Sequence, residues 1–499
     1  MPYLGYEYLR QSLGLTALEP ARPALVANVT RISIDEAAVK VPAHVAPVAG
    51  APLDHVLFAL KHEGVDLAIL AQALPRIDAG DMLSALRATP NGSYIRIACW
   101  LWEHFTHQQL QALPAVGGPL ALLFDPMRYV TGPEVRNTRW RTVFNGLGSL
   151  DYCATVERTA GVEAGLASNV LGRAREFLAG LGPELADRAL TWAYLSETEG
   201  SYAIEREAPT EDKAEAFAAL LQQAHERRPL TEEYLVELQN AAITNPLERA
   251  VQFRTEQNRL RGPLRGARGI TYLPPPPESV PALMRELMQF ANAAPARIDP
   301  IVAGAISSFG FVFIHPFMDG NGRLSRFLIH HALCMSGELT HGMLLPVSVA
   351  MKRNEQQYLD ALKSFSAKAR DRWSVTWIDE GQYDIRFKAD DSIYRYWDAT
   401  RVVEFGFAMA EQALDVDLRH ETDFLMRYDR LYRAADERFD VRGDVLADLV
   451  RFCLFQDGRV SARRRKQYKG RVPEALFDFL EKVASAGEET VETLRRSRK

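Results

Sequence analysis

The spacing of apolar positions changes several times along this chain, and those changes divide it. Residues 19–53 are rich in Ala, Pro and Val with no regular period, which predicts an extended lead-in. From Val56 to about His107 apolar residues recur every three or four positions (Leu57, Leu60; Leu67, Leu70, Leu74). Ile95 to Glu103 is strongly amphipathic, so the whole stretch reads as helical. Gly and Asn turns make 131–160 irregular. Helices resume at about 165–196, 210–228 and 230–243, the last opening on Thr231 with Glu232 and Glu233 in its first turn. Residues 251–255 and 269–273 are short β-prone runs joined by a loop holding Arg261, Gly262, Arg265, Gly266 and Arg268, a hairpin in an otherwise helical protein. Pro274 to Pro277 form a stiff polyproline bridge. Asp299 as cap and Pro300 at the first position start a helix in which Ile301, Ala305, Phe309 and Phe313 make a buried stripe. After a break at 315–322, Leu324, Phe327, Leu328 and His331 carry the next helix to about Gly337. Beyond about 370 the chain reads as helical and charged, and no internal repeat suggests a solenoid.

Length and composition narrow the class. At about 150 residues per domain, 499 residues hold three domains, expected at 1–190, 191–370 and 371–499, the third a C-terminal helical domain of winged-helix-like kind. With 47% hydrophobic and 25% charged residues the chain is globular, not disordered or fibrous. A net charge of −5 gives no whole-molecule attraction for nucleic acid. Residues 459–471 hold seven Lys or Arg, a run that reads first as a solvated face and second as a nucleic-acid contact. Cys99, Cys153, Cys334 and Cys453 lie far apart, against a disulfide framework or structural zinc and in favour of a reducing compartment. His330, His331 and His341 lack metal-ligand spacing. The N-terminus has no basic n-region and no apolar run reaches the ~18 residues of a membrane span, so a soluble, cytoplasmic protein with no membrane partner is expected.

The chemistry concentrates between the two apolar helices, in His315-Pro-Phe-Met-Asp319-Gly-Asn-Gly-Arg323-Leu-Ser-Arg326. Gly320 and Gly322 free the backbone for positive φ and close approach. Their N–H groups, with those of Asn321 and Arg323, precede a helix N-terminus, which makes an anion nest on a helix dipole and hence a phosphate site. Arg323 and Arg326 are one helical turn apart, so both guanidinium groups reach one polyanion. Asp319 is a hard oxygen ligand beside that nest and suits Mg²⁺. His315 is the one nearby group that titrates around neutral pH. A lone His at a helix end is usually a cap, and a lone Gly-Asn-Gly usually a turn. Neither explains a His, a carboxylate, two glycines and two arginines within twelve residues. The combination points to phosphoryl or nucleotidyl transfer.

This segment resembles the signature of the Fic family, H-P-F-x-[D/E]-G-N-G-R-x-x-R, at every specified position. Around it, Phe253-Arg-Thr-Glu-Gln-Asn and Ile270-Thr-Tyr-Leu-Pro-Pro-Pro-Pro look like the family's hairpin flap and its exit. Leu345-Pro-Val-Ser and the run from Asn354 to Leu362 look like its connector and following helix. The resemblance covers about 190–370, and more weakly 91–160. It implies a mainly α fold: a Fic-type helical core with a β-hairpin flap, plus N-terminal and C-terminal helical regions. It implies an enzyme that moves AMP from ATP to a Ser, Thr or Tyr hydroxyl of a protein, with self-modification as one case. In that scheme His315 takes the hydroxyl proton and Asp319 holds Mg²⁺. Gly320, Asn321, Gly322 and Arg323 stabilise the pyrophosphate, and Arg326 grips the γ-phosphate. The flap residues Ile270, Thr271, Tyr272 and Leu273 pair with an extended target segment.

Upstream, the run from Gly200 to Glu207 resembles the family's inhibitory motif, [S/T]-x-x-x-E-[G/N], with Ser201 and Glu205 in place and Arg206 where Gly or Asn is usual. The resemblance implies that Glu205 pairs with Arg326 and excludes a productive γ-phosphate. Other readings are removal of AMP, use of another nucleotide, or a DNA-binding regulator whose core senses nucleotide.

Overall fold

The computed structural model describes residues 2–485 apart from 244, 340, 341, 380 and 381, so His341 and the last residues of the C-terminal region lie outside the described residues. Its first apolar cluster belongs to the N-terminal region, where the helices Pro52–His62, Leu67–Ala73, Ala79–Ala88 and Ser93–Thr106 fall within the stretch read as helical. Asp66 and Asp78 cap two of them, their carboxylates accepting from the backbone N–H of Ile69 and Gly80. The lead-in is more ordered than its composition suggests. Ala24–Val26, Ser33–Ile34 and Val39–Val41 form a three-stranded sheet with the third strand in the middle, over a small core of Leu4, Ala24, Val39, Val41 and Phe58. The irregular stretch after residue 131 holds four short strands, from Val135–Asn137 to Cys153–Thr155.

The central core is helical, and the elements that position the site can be labelled in chain order. Helix α1 is Pro183–Ile204 and strands β1 and β2 are Leu260–Arg261 and Ile270–Tyr272. Helices α2, α3, α4 and α5 are Pro300–Ile314, Asn321–Met335, Val347–Arg353 and Glu355–Arg370. Strands β3 and β4 are Trp373–Asp379 and Gln382–Phe387. Helix α2 starts as its sequence dictates: Asp299 Oδ1 accepts from the N–H groups of Ile301 and Val302, and Pro300 occupies the first turn. The helix expected at 165–196 is two, Val170–Ala179 and α1. Gly182 at φ +53° breaks the chain and Pro183 restarts it.

One expectation needs correction. The chain after 370 is not helical throughout, because β3 and β4 form an antiparallel hairpin with Trp373 opposite Phe387 and Trp377 opposite Tyr383. The central apolar core draws on residues far from α2 in the chain. The central cluster runs from Val130 to Leu418, while the C-terminal cluster runs from Leu431 to Val483. The reason is α2, which is buried on nearly every side. A helix apolar all round needs cover all round. Thr400–Gln412 supplies part of it, so closely that a Cβ at Gly406 would lie 3.2 Å from the Cβ of Ala305. Tyr396–Asp398 also pairs in parallel with Cys153–Thr155, tying this segment to the N-terminal region.

Candidate active site

His315 ends α2 in the left-handed conformation (φ 54°, ψ 60°), which turns the chain out of the helix and into the loop. Its ring is buried, and its Nδ1 lies 3.1 Å from the Val312 carbonyl. A carbonyl only accepts, so the proton sits on Nδ1 and Nε2 keeps the lone pair of a base. Burial pulls its pKa down to about 4, assisted by the Arg254 guanidinium and opposed by the Val312 hydrogen bond and by Glu205 and Asp319. The imidazole is therefore neutral near pH 7.

Arg254, which the sequence places in a β-prone run and in the segment resembling the family's flap, is buried. Residues 251–255 form no strand. The Arg254 guanidinium instead donates from Nε to the His315 carbonyl (2.7 Å), from Nη2 to those of Pro275 (2.6 Å) and Ile314 (3.3 Å), and from Nη1 to that of Glu256 (3.0 Å). Its backbone N–H reaches the Pro316 carbonyl at 2.7 Å. Nearby, Asn258 Nδ2 donates to the Phe317 and Met318 carbonyls at 3.2 and 3.1 Å. The flap is thus tied to the catalytic loop from end to end.

Within the loop, Asn321 points back and not toward a ligand. Its Oδ1 accepts from the Phe317 N–H (3.0 Å) and its Nδ2 donates to the Phe317 carbonyl (2.8 Å), so its side chain shapes the nest while its N–H is available to line it. Gly320 takes φ +83° as the N-cap of α3, a position that favours glycine. Arg323 and Arg326 are almost fully buried, and Arg323 lies over the Tyr202 ring. Each retains one buried donor, Nε of Arg323 and Nη1 of Arg326, with no hydrogen-bond partner among the described residues. Two desolvated cations with donors left over beside a helix N-terminus call for an anion.

The end of α1 supplies carboxylates to both. Arg326 donates from Nε to Ser201 Oγ (2.8 Å) and from Nη2 to the Ser201 carbonyl (2.8 Å) and Glu205 Oε1 (3.0 Å). A Cβ at Gly322 would lie 2.1 Å from Glu205 Oε1, so the carboxylate rests on the backbone of the nest itself. Arg206 takes φ +60°; its N–H reaches the Ala203 carbonyl and the Glu207 N–H the Tyr202 carbonyl, both at 3.1 Å. That pair of bonds is a Schellman cap with Arg206 at its left-handed position, the conformation that Gly or Asn adopts most easily. The cap turns Glu207 back onto Arg323, whose Nη1 it meets at 3.1 Å. Sequence reading did not single out Glu207; its signal is its place one residue after the left-handed position.

Asp319 stands at the mouth of the nest, its side chain 39% exposed, with Oδ1 accepting from the Gly320 N–H (2.7 Å) and lying 3.7 Å from Arg323 Nη2. Among the described residues no group of three or more His, Cys, Asp or Glu could hold a metal. A single accessible carboxylate beside a phosphate nest fits Mg²⁺, which takes few protein ligands and completes its shell with water and substrate phosphates, and fits no metal that needs a protein cage. In the flap, Thr271 is exposed, while Ile270, Tyr272 and Leu273 face the core and Tyr272 donates to the Phe313 carbonyl (2.6 Å). Its exposed strand is β1.

Elsewhere, His330 is buried against Glu197 (2.7 Å) and His331 meets the Arg228 carbonyl (2.9 Å). In the 459–471 run, Arg465 pairs with Asp478 and Glu481 and Arg464 covers the Phe452 ring, so both hold the C-terminal helices together. No helix among the described residues is long and apolar enough to cross a membrane.

Comparison with known proteins identifies the central segment of the sequence. The model of the Fic/DOC family matches residues 229–333. A protein named "Probable protein adenylyltransferase" from Aquifex aeolicus (strain VF5) is 36% identical over 95 residues, 19% of this chain and 27% of that protein. "Protein adenylyltransferase Fic" of Drosophila mojavensis is 31% identical over 93 residues, 18% of this chain and 17% of that protein. The match thus spans about a quarter or less of the length of these relatives. A Fic family protein from Desulfovibrio desulfuricans G20 aligns over 64% of this chain and 87% of its own at 20% identity, with a TM-score of 0.37. This chain carries a Fic/DOC family domain, and His315, Asp319, Arg323 and Arg326 lie inside the matched residues.

Proposed function

We propose that this chain is a protein adenylyltransferase, moving AMP from ATP to a Ser, Thr or Tyr hydroxyl of a protein, itself included. The observation that carries the reading is the pair of buried arginines with unpartnered donors at a helix N-terminus, in the segment that follows a buried, neutral histidine. In this reading His315 Nε2 takes the proton as the hydroxyl oxygen attacks the α-phosphorus, and the bond to the β-phosphate oxygen breaks. Nest N–H groups and Arg323 meet the charge that builds on the leaving pyrophosphate, while Arg326 binds the γ-phosphate. Asp319 would hold Mg²⁺, which supplies neutralisation of phosphate charge when bound.

The reading includes autoinhibition. Glu205 already sits on Gly322 and Arg326, where the γ-phosphate needs its partner, and adds negative charge there. At an effective dielectric of about 20, one such like-charge contact costs on the order of a few kcal/mol. Incubation with α-labelled and γ-labelled ATP side by side tests the reaction class. The expected result is α label on protein and no γ label; γ label on protein would mean phosphorylation, and neither label in any variant would remove the transferase reading.

A further inference from the structure

The inward-facing side chains of β2 leave the other half of the hairpin to meet a partner. Strand β1 and the loop after it expose Arg261, Arg265 and Arg268, and no carboxylate among the described residues lies within ion-pair distance of any of them. By contrast, Arg386 on the neighbouring hairpin is paired with Asp384. Three unpaired cations within eight residues form a local positive patch on a chain of net charge −5.

That patch adjoins the reacting centre. Asn258, three residues before Arg261, bonds the carbonyls of Phe317 and Met318 in the catalytic loop. On its other side lies the β3–β4 hairpin, whose Trp373, Val375, Ile385 and Phe387 pack over Ile270 and Leu273. Arg261 lies over the Tyr383 ring (5.2 Å). Trp377 is opposite Tyr383 in the ladder and continues this apolar face, yet it is 55% exposed. The face therefore runs out past the flap and ends in an uncovered aromatic ring beside the arginines.

We infer that Arg261, Arg265, Arg268 and Trp377 form a docking surface for an acidic segment of the protein that is modified, flanking its acceptor hydroxyl. The inference rests on the reading that the chain modifies a protein. Charge complementarity selects the partner: guanidinium groups without internal partners favour carboxylates, and rim charges of this kind set specificity and encounter rate. Continuity with the loop that carries His315 places such a segment near the base.

The test uses fluorescein-labelled peptides of one length, each with a single Ser flanked by Glu, Gln or Lys, and the full chain without nucleotide. Anisotropy at low salt should show the Glu peptide binding about tenfold tighter than the Gln peptide, with the difference shrinking at high salt. R261Q/R265Q/R268Q should abolish the preference, and R261E/R265E/R268E should invert it toward the Lys peptide. Trp377→Ala should weaken every peptide without changing the order. Equal binding of the three peptides, or a preference that survives both triple variants, overturns the proposal. So does an oligothymidylate that displaces the Glu peptide at lower concentration than unlabelled Glu peptide does, which would assign the patch to nucleic acid. Because no ATP is present, a failure of AMP transfer and a failure of docking are read separately.

Discussion

Replacing Arg254 by Met removes a buried cation that joins the flap to the catalytic loop. Four carbonyl hydrogen bonds go with it, to His315, Ile314, Pro275 and Glu256. At about 1.5 kcal/mol for a bond to a charged group, the lower end of the usual range, they sum to about 6 kcal/mol. Against that stands the cost of burying the guanidinium, which pushes its pKa down to about 10, equivalent to about 3 kcal/mol. The net expected loss is about 3 kcal/mol. In urea, with slopes of about 1–3 kcal/mol per molar, the transition that includes this domain should move down by about 1 M or more. A second signature separates positioning from mere packing. The guanidinium disfavours a charged imidazole, so Arg254→Met should raise the His315 pKa above its value of about 4, as read from histidine NMR titration. Arg254→Lys keeps the charge and should leave that pKa low while still losing stability. A Met variant that melts within about 0.3 M of the parent, with His315 titrating unchanged, would refute the clamp.

Three further outcomes follow from the same geometry. Arg206→Gly relieves a left-handed conformation that costs an L-residue roughly 1–2 kcal/mol, so hydrogen exchange should slow at the end of α1 and residual self-labelling should fall; unchanged exchange would argue against the cap as the weak point. Glu207→Gln removes a carboxylate from Arg323, and since such half-exposed pairs are worth up to about 1 kcal/mol, nucleotide affinity by fluorescence titration should rise by up to about fivefold and not fall. His315 binds its proton only near pH 4, below the usual ~6.5, so transfer should stay level from pH 7 to about 5 where an ordinary histidine base would have lost most of its activity. Stability, unlike activity, changes over this range: between about 4 and 6.5 the unfolded chain takes up a proton that the fold refuses, so stability rises with pH across that window, checked by urea melts at pH 5 and 7.

The site was legible where residue types have local causes. Asp299-Pro300 announces the helix that carries His315, and Gly320 announces the nest, because cap chemistry and positive φ are properties of single residues; Gly322, expected at positive φ as well, is helical within α3, where its missing side chain leaves room for Glu205. Ser201 and Glu205 were legible only through the resemblance to the family's inhibitory motif, and both meet Arg326. What escaped depends on tertiary contact. Arg254 looks like any arginine in a β-prone run until the carbonyls of three distant residues, Pro275, Ile314 and His315, converge on it. Glu207 acquires its role only because Arg206 reverses the chain, which an arginine in that place does not advertise. Strands β3 and β4 carry the alternation of a hairpin, but it sits within a charged stretch that reads as helix, and the cover that α2 takes from 393–418 has no local sign at all.

The central claim is a transferase held in check by its own helix, and one comparison tests it most directly. The parent chain, Glu205→Gly, and Glu205→Gly combined with His315→Ala are incubated with α-labelled ATP and Mg²⁺, and label on the protein is counted. Removing Glu205 clears Gly322 and frees Arg326 for the γ-phosphate, and a few kcal/mol of relieved repulsion corresponds to about a hundredfold in rate. The account predicts a rise of that order in the single variant and a return to background in the double. A single variant that labels no better than the parent, or a double variant that labels as well as the single, would contradict it.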